Sequence, residues 1–382
     1  MFRELLTAAV IISVASTSAL AGGVTYKDGD KYVKLGGRIQ LQYHQVDPDG
    51  GESTDDVFFR RLRPFIEGSL HKDWKGKFQW DMGKSHDDNE ISVKDAYMQY
   101  TGIENMKITV GNIFYPFSRE GLTSSKYQQL VERTFVGDHN YGTPDRQMGI
   151  YVNGHTGNKT LDWAAGLADA RIDPDAKKID FGSAANDQTD WNEGVLIGAR
   201  VSWHPLGYLK MSQGDFSKKT KATLSVAAFS WDNDNDNNTR TALGMDTSEG
   251  KKPDVDKVTG LEVSGAFRGA GLSIDAQWNR INAETVDGTV THGIYENGET
   301  ELNNYAVEGG YMFGNIFELV AAYSSQKADG YSDDWNRTTF GANLFAHKHD
   351  VKLQFSYRIN ENKNGENGND VDEAFVQAQY VF

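Results

Sequence analysis

The chain has no cysteine in 382 residues and only seven prolines. Disulfides and thiolate metal sites are therefore excluded, and so little proline suits a chain of strands and turns. Long apolar runs are also missing. Beyond residues 5–14, none approaches the roughly 20 residues that a membrane-spanning helix needs. Basic residues are in deficit, 39 Lys and Arg against 54 Asp and Glu, for a formal net charge of −15, which argues against nucleic acid as a partner. No glycine-rich phosphate loop, nucleophile elbow or spaced metal-ligand set stands out. No catalytic residue, metal or cofactor is expected, and the chain does not read as an enzyme.

What is present begins with a targeting segment. Arg3 gives a weak basic region, Leu5 to Val14 a short apolar run, and Ala19-Leu20-Ala21 a small-residue cleavage site. Residues 1–21 are expected to be a secretory signal peptide, and residues 22–382 the exported domain.

The dominant pattern in that domain has period two. In 34–44, Leu35, Ile39, Leu41 and Tyr43 fall on one face and Lys34, Arg38, Gln40, Gln42 and His44 on the other. In 351–360, Val351, Leu353, Phe355, Tyr357 and Ile359 oppose Lys352, Gln354, Ser356, Arg358 and Asn360. Such alternation marks strands whose two faces meet different media. Sixteen strands are predicted: 31–46, 55–71, 74–84, 91–101, 106–113, 147–156, 159–170, 193–204, 219–231, 256–268, 271–284, 301–312, 315–327, 335–347, 349–360 and 371–382. Short and long connections alternate strictly, which predicts antiparallel hairpins with every tight turn at one end. The connection 205–218 alone is too long for its place. Transmembrane barrels put short turns on the periplasmic side and long loops outside, so 114–146 becomes the third external loop.

A soluble β-sandwich also alternates. Three features favour a membrane barrel instead. The apolar faces are rich in Tyr, Trp and Phe, as in interfacial girdles. The polar faces carry Lys, Arg, Gln and Asp in mid-strand, which suits a wet lumen. The targeting segment sends the chain beyond the inner membrane. The last strand, with Ala374, Val376, Ala378, Tyr380 and Phe382 on its apolar face, ends as the assembly signals of outer-membrane barrels do. The expected fold is all-β: a sixteen-stranded antiparallel transmembrane β-barrel with an inward-folded third external loop. Two weaker signals remain. Asp232 to Asp236 forms an acidic Asx run, expected to be solvated loop, and His347 and His349 flank a turn and read as surface residues.

Several segments carry a family resemblance. They are Phe59-Arg60-Arg61-Leu62-Arg63-Pro64 with Ile66-Glu67-Gly68 and Lys72-Asp73-Trp74; Lys94-Asp95-Ala96-Tyr97-Met98-Gln99-Tyr100-Thr101-Gly102; Val110-Gly111-Asn112-Ile113-Phe114-Tyr115-Pro116-Phe117-Ser118; and Leu122-Thr123-Ser124-Ser125-Lys126 followed by Glu132-Arg133. Over about 31–150 the chain resembles the phosphate-selective porin O and P family. The resemblance implies a homotrimeric outer-membrane porin whose third external loop narrows the lumen, where Arg and Lys bind phosphate-like anions. Carried over by motif, the constriction residues would be Arg38, Arg60, Arg61, Arg63, Lys126 and Arg133, with Ser124 and Ser125 as hydroxyl donors and Asp95 as counter-carboxylate. Adjacent Arg60 and Arg61 cannot both face the lumen of a regular strand, so Arg61 and Arg63 are placed inward and Arg60 joins them only through a bulge. The family's best-known members also show an arginine ladder, for which the eighth and ninth strands offer only Arg200, Lys219 and Lys221. The partners implied are small anions such as phosphate or chloride, outer-membrane lipid and lipopolysaccharide, and the barrel-assembly machinery acting on the last strand. A general porin of no or cationic preference, or a barrel serving as adhesin or structural anchor, are the other functions these residues allow.

Overall fold

The computed structural model describes residues 23–83, 91–185, 191–238 and 252–382; the targeting segment lies outside them. Its strands are β1 Val24–Asp28, β2 Lys31–Pro48, β3 Thr54–His71, β4 Trp74–Asp81, β5 Ser92–Tyr100, β6 Met106–Phe114, β7 Arg146–His155, β8 Leu161–Ile172, β9 Asn192–Trp203, β10 Lys221–Asn233, β11 Val255–Gly269, β12 Leu272–Thr285, β13 Glu299–Phe313, β14 Phe317–Lys327, β15 Trp335–His347, β16 Val351–Glu361 and β17 Val371–Val381. From β2 to β17 each strand pairs antiparallel with the next, and β17 returns to β2, Val381 opposite Arg38 and Val371 opposite Pro48. The closed sixteen-stranded barrel read from the spacing is therefore present, with every predicted strand in place. Closure reaches the last residue: Gly37 and Phe382 exchange backbone hydrogen bonds of 2.8 and 3.0 Å.

The short strand β1 was not foreseen, and its cause is geometric. β2 runs on past the point where β17 ends, and its next backbone groups would form an open edge. β1 covers that edge, with Val24 opposite Leu35 and Asp28 opposite Lys31.

Burial is inverted relative to a soluble protein. Gln40 has no exposed surface, Gln42, Gln354, Ser356 and Gln377 are buried, and Phe340 is 53% exposed along with Phe78, Ile197 and Val226. In water each of those large side chains would forfeit about 1.5–3 kcal/mol of burial. An apolar band facing lipid around a polar interior removes the conflict, and the sandwich alternative fails.

The interior is not empty. At the long-loop end, inward residues of β7–β13 join side chains from the connections after β8 and β12 in one apolar core that includes Phe181, Trp231, Ile281, Ile294 and Tyr295. The long connection after β9, residues 204–220, also turns inward. The backbone N–H of Gln213 donates to Tyr127 O (3.0 Å), that of Gly214 to Ser273 Oγ (3.2 Å), and Phe216 packs edge-on to Phe345. This segment corrects the reading of His349. That residue is buried, not superficial, because 204–220 covers it: His349 Nε2 lies 2.9 Å from Gln213 O, and its ring meets Tyr127 and Phe216. Asp232 and Asn233 of the acidic run end β10, and the run is exposed loop only from Asp234 on. Asn233 Oδ1 accepts from the N–H of Asn235 and Asp234 Oδ1 from that of Asp236.

Candidate functional site

Two compartments of the open interior lie against β2–β7, opposite the apolar core, and the segment 115–145 forms their inner wall. That segment is fastened to the polar inward faces of distant strands. It enters with Ser118 at φ 60°, ψ 111°, a conformation costing roughly 1–3 kcal/mol unless the surroundings fix it. They do. The Ser118 side chain accepts from Gly121 N (2.9 Å) to start the single turn α1 (Arg119–Leu122). The backbone N–H groups of Ser118 and Arg119 donate to the two carboxylate oxygens of Glu262 on β11 (2.8 and 3.0 Å). Arg119 Nε reaches Asp275 on β12 (3.0 Å). Further along, Gln129 Nε2 donates to Glu318 on β14 (2.7 Å). Asn343 donates to Gln129 O (2.9 Å) and Lys352 to Gln128 O (2.8 Å). The near wall holds the last piece: Arg60 Nε lies 2.6 Å from Glu132.

Two β-bulges decide which charges face this space. Between β2 and β3 the register moves from Gln40↔Arg61 to Leu41↔Phe59, leaving Arg60 as the extra residue. Arg60, Arg61 and Arg63 consequently all line the same compartment, of about 530 Å³, which meets the condition set for Arg60 above. Between β4 and β5 the register moves from Phe78↔Ala96 to Trp80↔Val93. That slip turns both Lys94 and Asp95 to the interior, onto two different compartments.

The larger compartment, on the long-loop side, gathers Arg38, Arg60, Arg61, Arg63, Ser124, Ser125 and Arg133 from the predicted set. The spacing-based reading missed its other basic groups, Lys94, His139 and Arg146. Lys94 was overlooked because alternation assigns only one of two adjacent residues to the lumen, and Arg146 because it closes the loop rather than sitting in a strand motif. A second compartment of about 280 Å³ lies towards the short turns. It takes Lys126 and Asp95 together with Lys34 and Lys77, so these two predicted residues sit apart from the arginine group. Arg38, Phe114, Ser124 and Arg146 line both compartments and mark the boundary between them. There the Arg146 guanidinium lies over the Phe114 ring, 3.8 Å from its centre, a contact that holds the cation without neutralising it.

The carboxylates do not match the cations one for one. Arg60 pairs with Glu132, Arg63 with Asp81 (2.5 Å), and Arg146 with Asp95 (2.7 Å) and Asp145 (3.1 Å). Lys77 shares Asp95 (2.5 Å). Arg38, Arg61, Lys94 and Arg133 form no ion pair among the described residues. Arg61 donates to Gln40 (3.1 Å) and Arg133 to the carbonyls of Gly121 and Thr123 (3.0 and 3.1 Å). Arg38 Nε and Nη1 are buried and meet no hydrogen-bond acceptor among the described residues. Two of the loop's own ionisable groups are held in their charged forms by the partners they face. Burial opposes the charge on Glu132, but Arg60 and then Arg61 outweigh it and hold the carboxyl at about 2. Burial likewise opposes the charge on His139, and Asp180, 2.6 Å away, lifts the imidazole to about 9. Such a surface can hold and pass a small anion. Arg presents a planar fork that donates two parallel hydrogen bonds, Lys a point charge, and Ser a neutral donor.

The family model described as phosphate-selective porin O and P matches residues 33–382. Porin O of Pseudomonas aeruginosa (strain PAO1) is 31% identical over 118 residues, which cover 29% of this chain and 27% of that protein. Among solved structures, the outer membrane channel DcaP of Acinetobacter baumannii superposes with a TM-score of 0.62 at 14% identity, covering 94% of this chain and all of that one. The anion-selective porin from Comamonas acidovorans superposes with a TM-score of 0.61 at 12% identity, covering 92% and 100%.

Proposed function

Because the chain belongs to the phosphate-selective porin O and P family, we propose that it is an outer-membrane porin through which small anions, phosphate and chloride among them, diffuse passively. The observation that carries this reading is the unbalanced group of Arg38, Arg61, Lys94 and Arg133 around one lumenal space of about 530 Å³. Segment 115–145 acts as the inward-folded third external loop, and the boundary at Arg38, Phe114, Ser124 and Arg146 as the constriction. An anion reaching it exchanges part of its hydration shell for guanidinium and hydroxyl donors, and passes on because no single group binds it tightly. Arg60 contributes more to fixing the loop through Glu132 than to the solute. Ser125, mostly buried at the start of a single 3₁₀ turn, Ser125–Tyr127, supports Ser124. Lys126 receives the anion on the short-turn side.

The same reading makes residues 1–21 a cleaved signal peptide, and lipid and lipopolysaccharide the surroundings of the apolar band. It gives the last strand to the barrel-assembly machinery and expects a homotrimer. Purified protein in a planar lipid bilayer provides the test. Open channels with a reversal potential favouring chloride in a KCl gradient, and a chloride current reduced by added phosphate, are expected. Absence of conductance would overturn the porin reading, and cation preference the anion reading.

A further inference from the structure

A third cavity, of about 520 Å³, opens inside the barrel at the short-turn end of β6–β9. It shares Phe114 and Leu122 with the basic compartment that holds Lys126, so it lies beside the route a solute takes after the constriction. Its chemistry differs from that of the arginine compartment. Leu122, Tyr151, Tyr208, Leu209 and Met211 contribute to its wall; three of these come from the inward connection 204–220, and Leu122 comes from the loop. Its cationic groups are largely uncommitted. Arg200 is held by Glu262, but Lys107 and Lys159 form no ion pair among the described residues, and Lys159 Nζ sits 5.5 Å from the centre of the Tyr208 ring. Among the described residues one carboxylate lines the cavity, Asp162, and His204 occupies it at 2.6 Å.

An inorganic anion gains nothing from an apolar wall, and a neutral apolar solute gains nothing from two unpaired ammonium groups. A single organic anion with an apolar body uses both. We propose that this cavity is a binding site for organic anions carrying an aromatic or short aliphatic body. The charged group rests near Lys107 and Lys159, and the body against Leu122, Tyr208, Leu209 and Met211. The inference rests on the porin reading and extends it, because it makes such anions solutes of the channel alongside inorganic ones.

The test compares two permanently charged probes with the same head group, benzenesulfonate and methanesulfonate, as blockers of the chloride current of the full-length protein in a planar bilayer. Benzenesulfonate is expected to block at a concentration about tenfold lower, the factor that partial burial of one ring supports. Tyr208→Ser with Leu209→Ser should erase the difference while methanesulfonate block stays as in the wild type, and Lys107→Gln with Lys159→Gln should weaken block by both. Chloride conductance with equal block by the two probes would overturn the site and leave the porin intact. Absent conductance would overturn the porin itself. If the serine variant fails to assemble, Tyr208→Phe, which keeps the ring, and Met211→Gln, which removes apolar wall but keeps a side-chain acceptor for Arg119 Nη1, now 3.4 Å from Met211 Sδ, give the same contrast. Retained preference in Tyr208→Phe and reduced preference in Met211→Gln are expected, and no change in the latter counts against the site.

Discussion

Arg38→Gln isolates the electrostatic part of the selectivity. The residue lines both compartments at their boundary, forms no ion pair among the described residues, and leaves no carboxylate orphaned when its charge is removed. For an anion about 5 Å from the guanidinium, the attraction is about 0.8 kcal/mol in bulk-like water and about 3 kcal/mol at an effective dielectric constant near 20. With a Debye length of about 10 Å at 0.1 M salt, roughly 0.6 of either value survives. Taking the weaker limit, chloride loses about 0.5 kcal/mol at the boundary and potassium gains as much, so the chloride-to-potassium permeability ratio should fall by about fivefold or more. Reversal potentials in a KCl gradient measure this directly. A ratio within twofold of the wild type would refute the reasoning and move the constriction away from Arg38.

Four further outcomes are expected. Lys126→Glu with Arg133→Glu should reduce or invert anion preference, since one residue faces each compartment; unchanged selectivity clears both of the role. Glu262→Gln takes the charge from a buried carboxylate that two loop N–H groups and Arg200 share, an interaction whose loss costs about 3–5 kcal/mol; a lower unfolding midpoint on semi-native gels and a larger, noisier conductance should follow. Gln213→Ala removes the side-chain acceptor of Gln129 N (2.7 Å), worth about 1 kcal/mol, and should raise open-channel noise without altering the ion preference. The pH response separates two groups. His139 titrates near 9 in the folded protein, above its ordinary 6.5, so its pairing with Asp180 contributes fully below 6.5 and is lost as pH rises through about 9. Glu132 is depressed to about 2, so the Arg60–Glu132 link contributes fully above the ordinary glutamate value and is lost only as pH falls through about 2. Anion preference should therefore hold from pH 4 to 8 and drop between 8 and 10, and His139→Gln should remove part of that drop. A step centred near 6.5 would contradict the pairing.

The barrel was legible because its strands separate two media, and the last strand was legible because Tyr380 and Phe382 both sit on the lipid face. What filled the barrel was not. Ile179 and Phe181 stand in a connection that reads as polar loop, and only the folded chain shows them joining Trp231 and Ile281. Residues 204–220 announced themselves by length alone, with no periodicity to say that they turn inward over His349. The site lies between these extremes. Alternation assigns one of any two neighbours to lipid, yet a Lys or Arg at bilayer depth on the lipid face costs roughly 2–4 kcal/mol. Arg60-Arg61 and Lys94-Asp95 both stand within strands, and in both the cost is avoided by an inserted residue that turns both side chains inward. Asp55-Asp56 and Asp372-Glu373 lie near strand ends and pair without any shift of register, because water reaches them there. Adjacent charges inside a barrel strand thus carry positional information that the period-two pattern alone discards. That criterion recovers Arg60 and Lys94 as lumenal, but not Arg146, which closes the loop and owes its position to Phe114, Asp95 and Asp145.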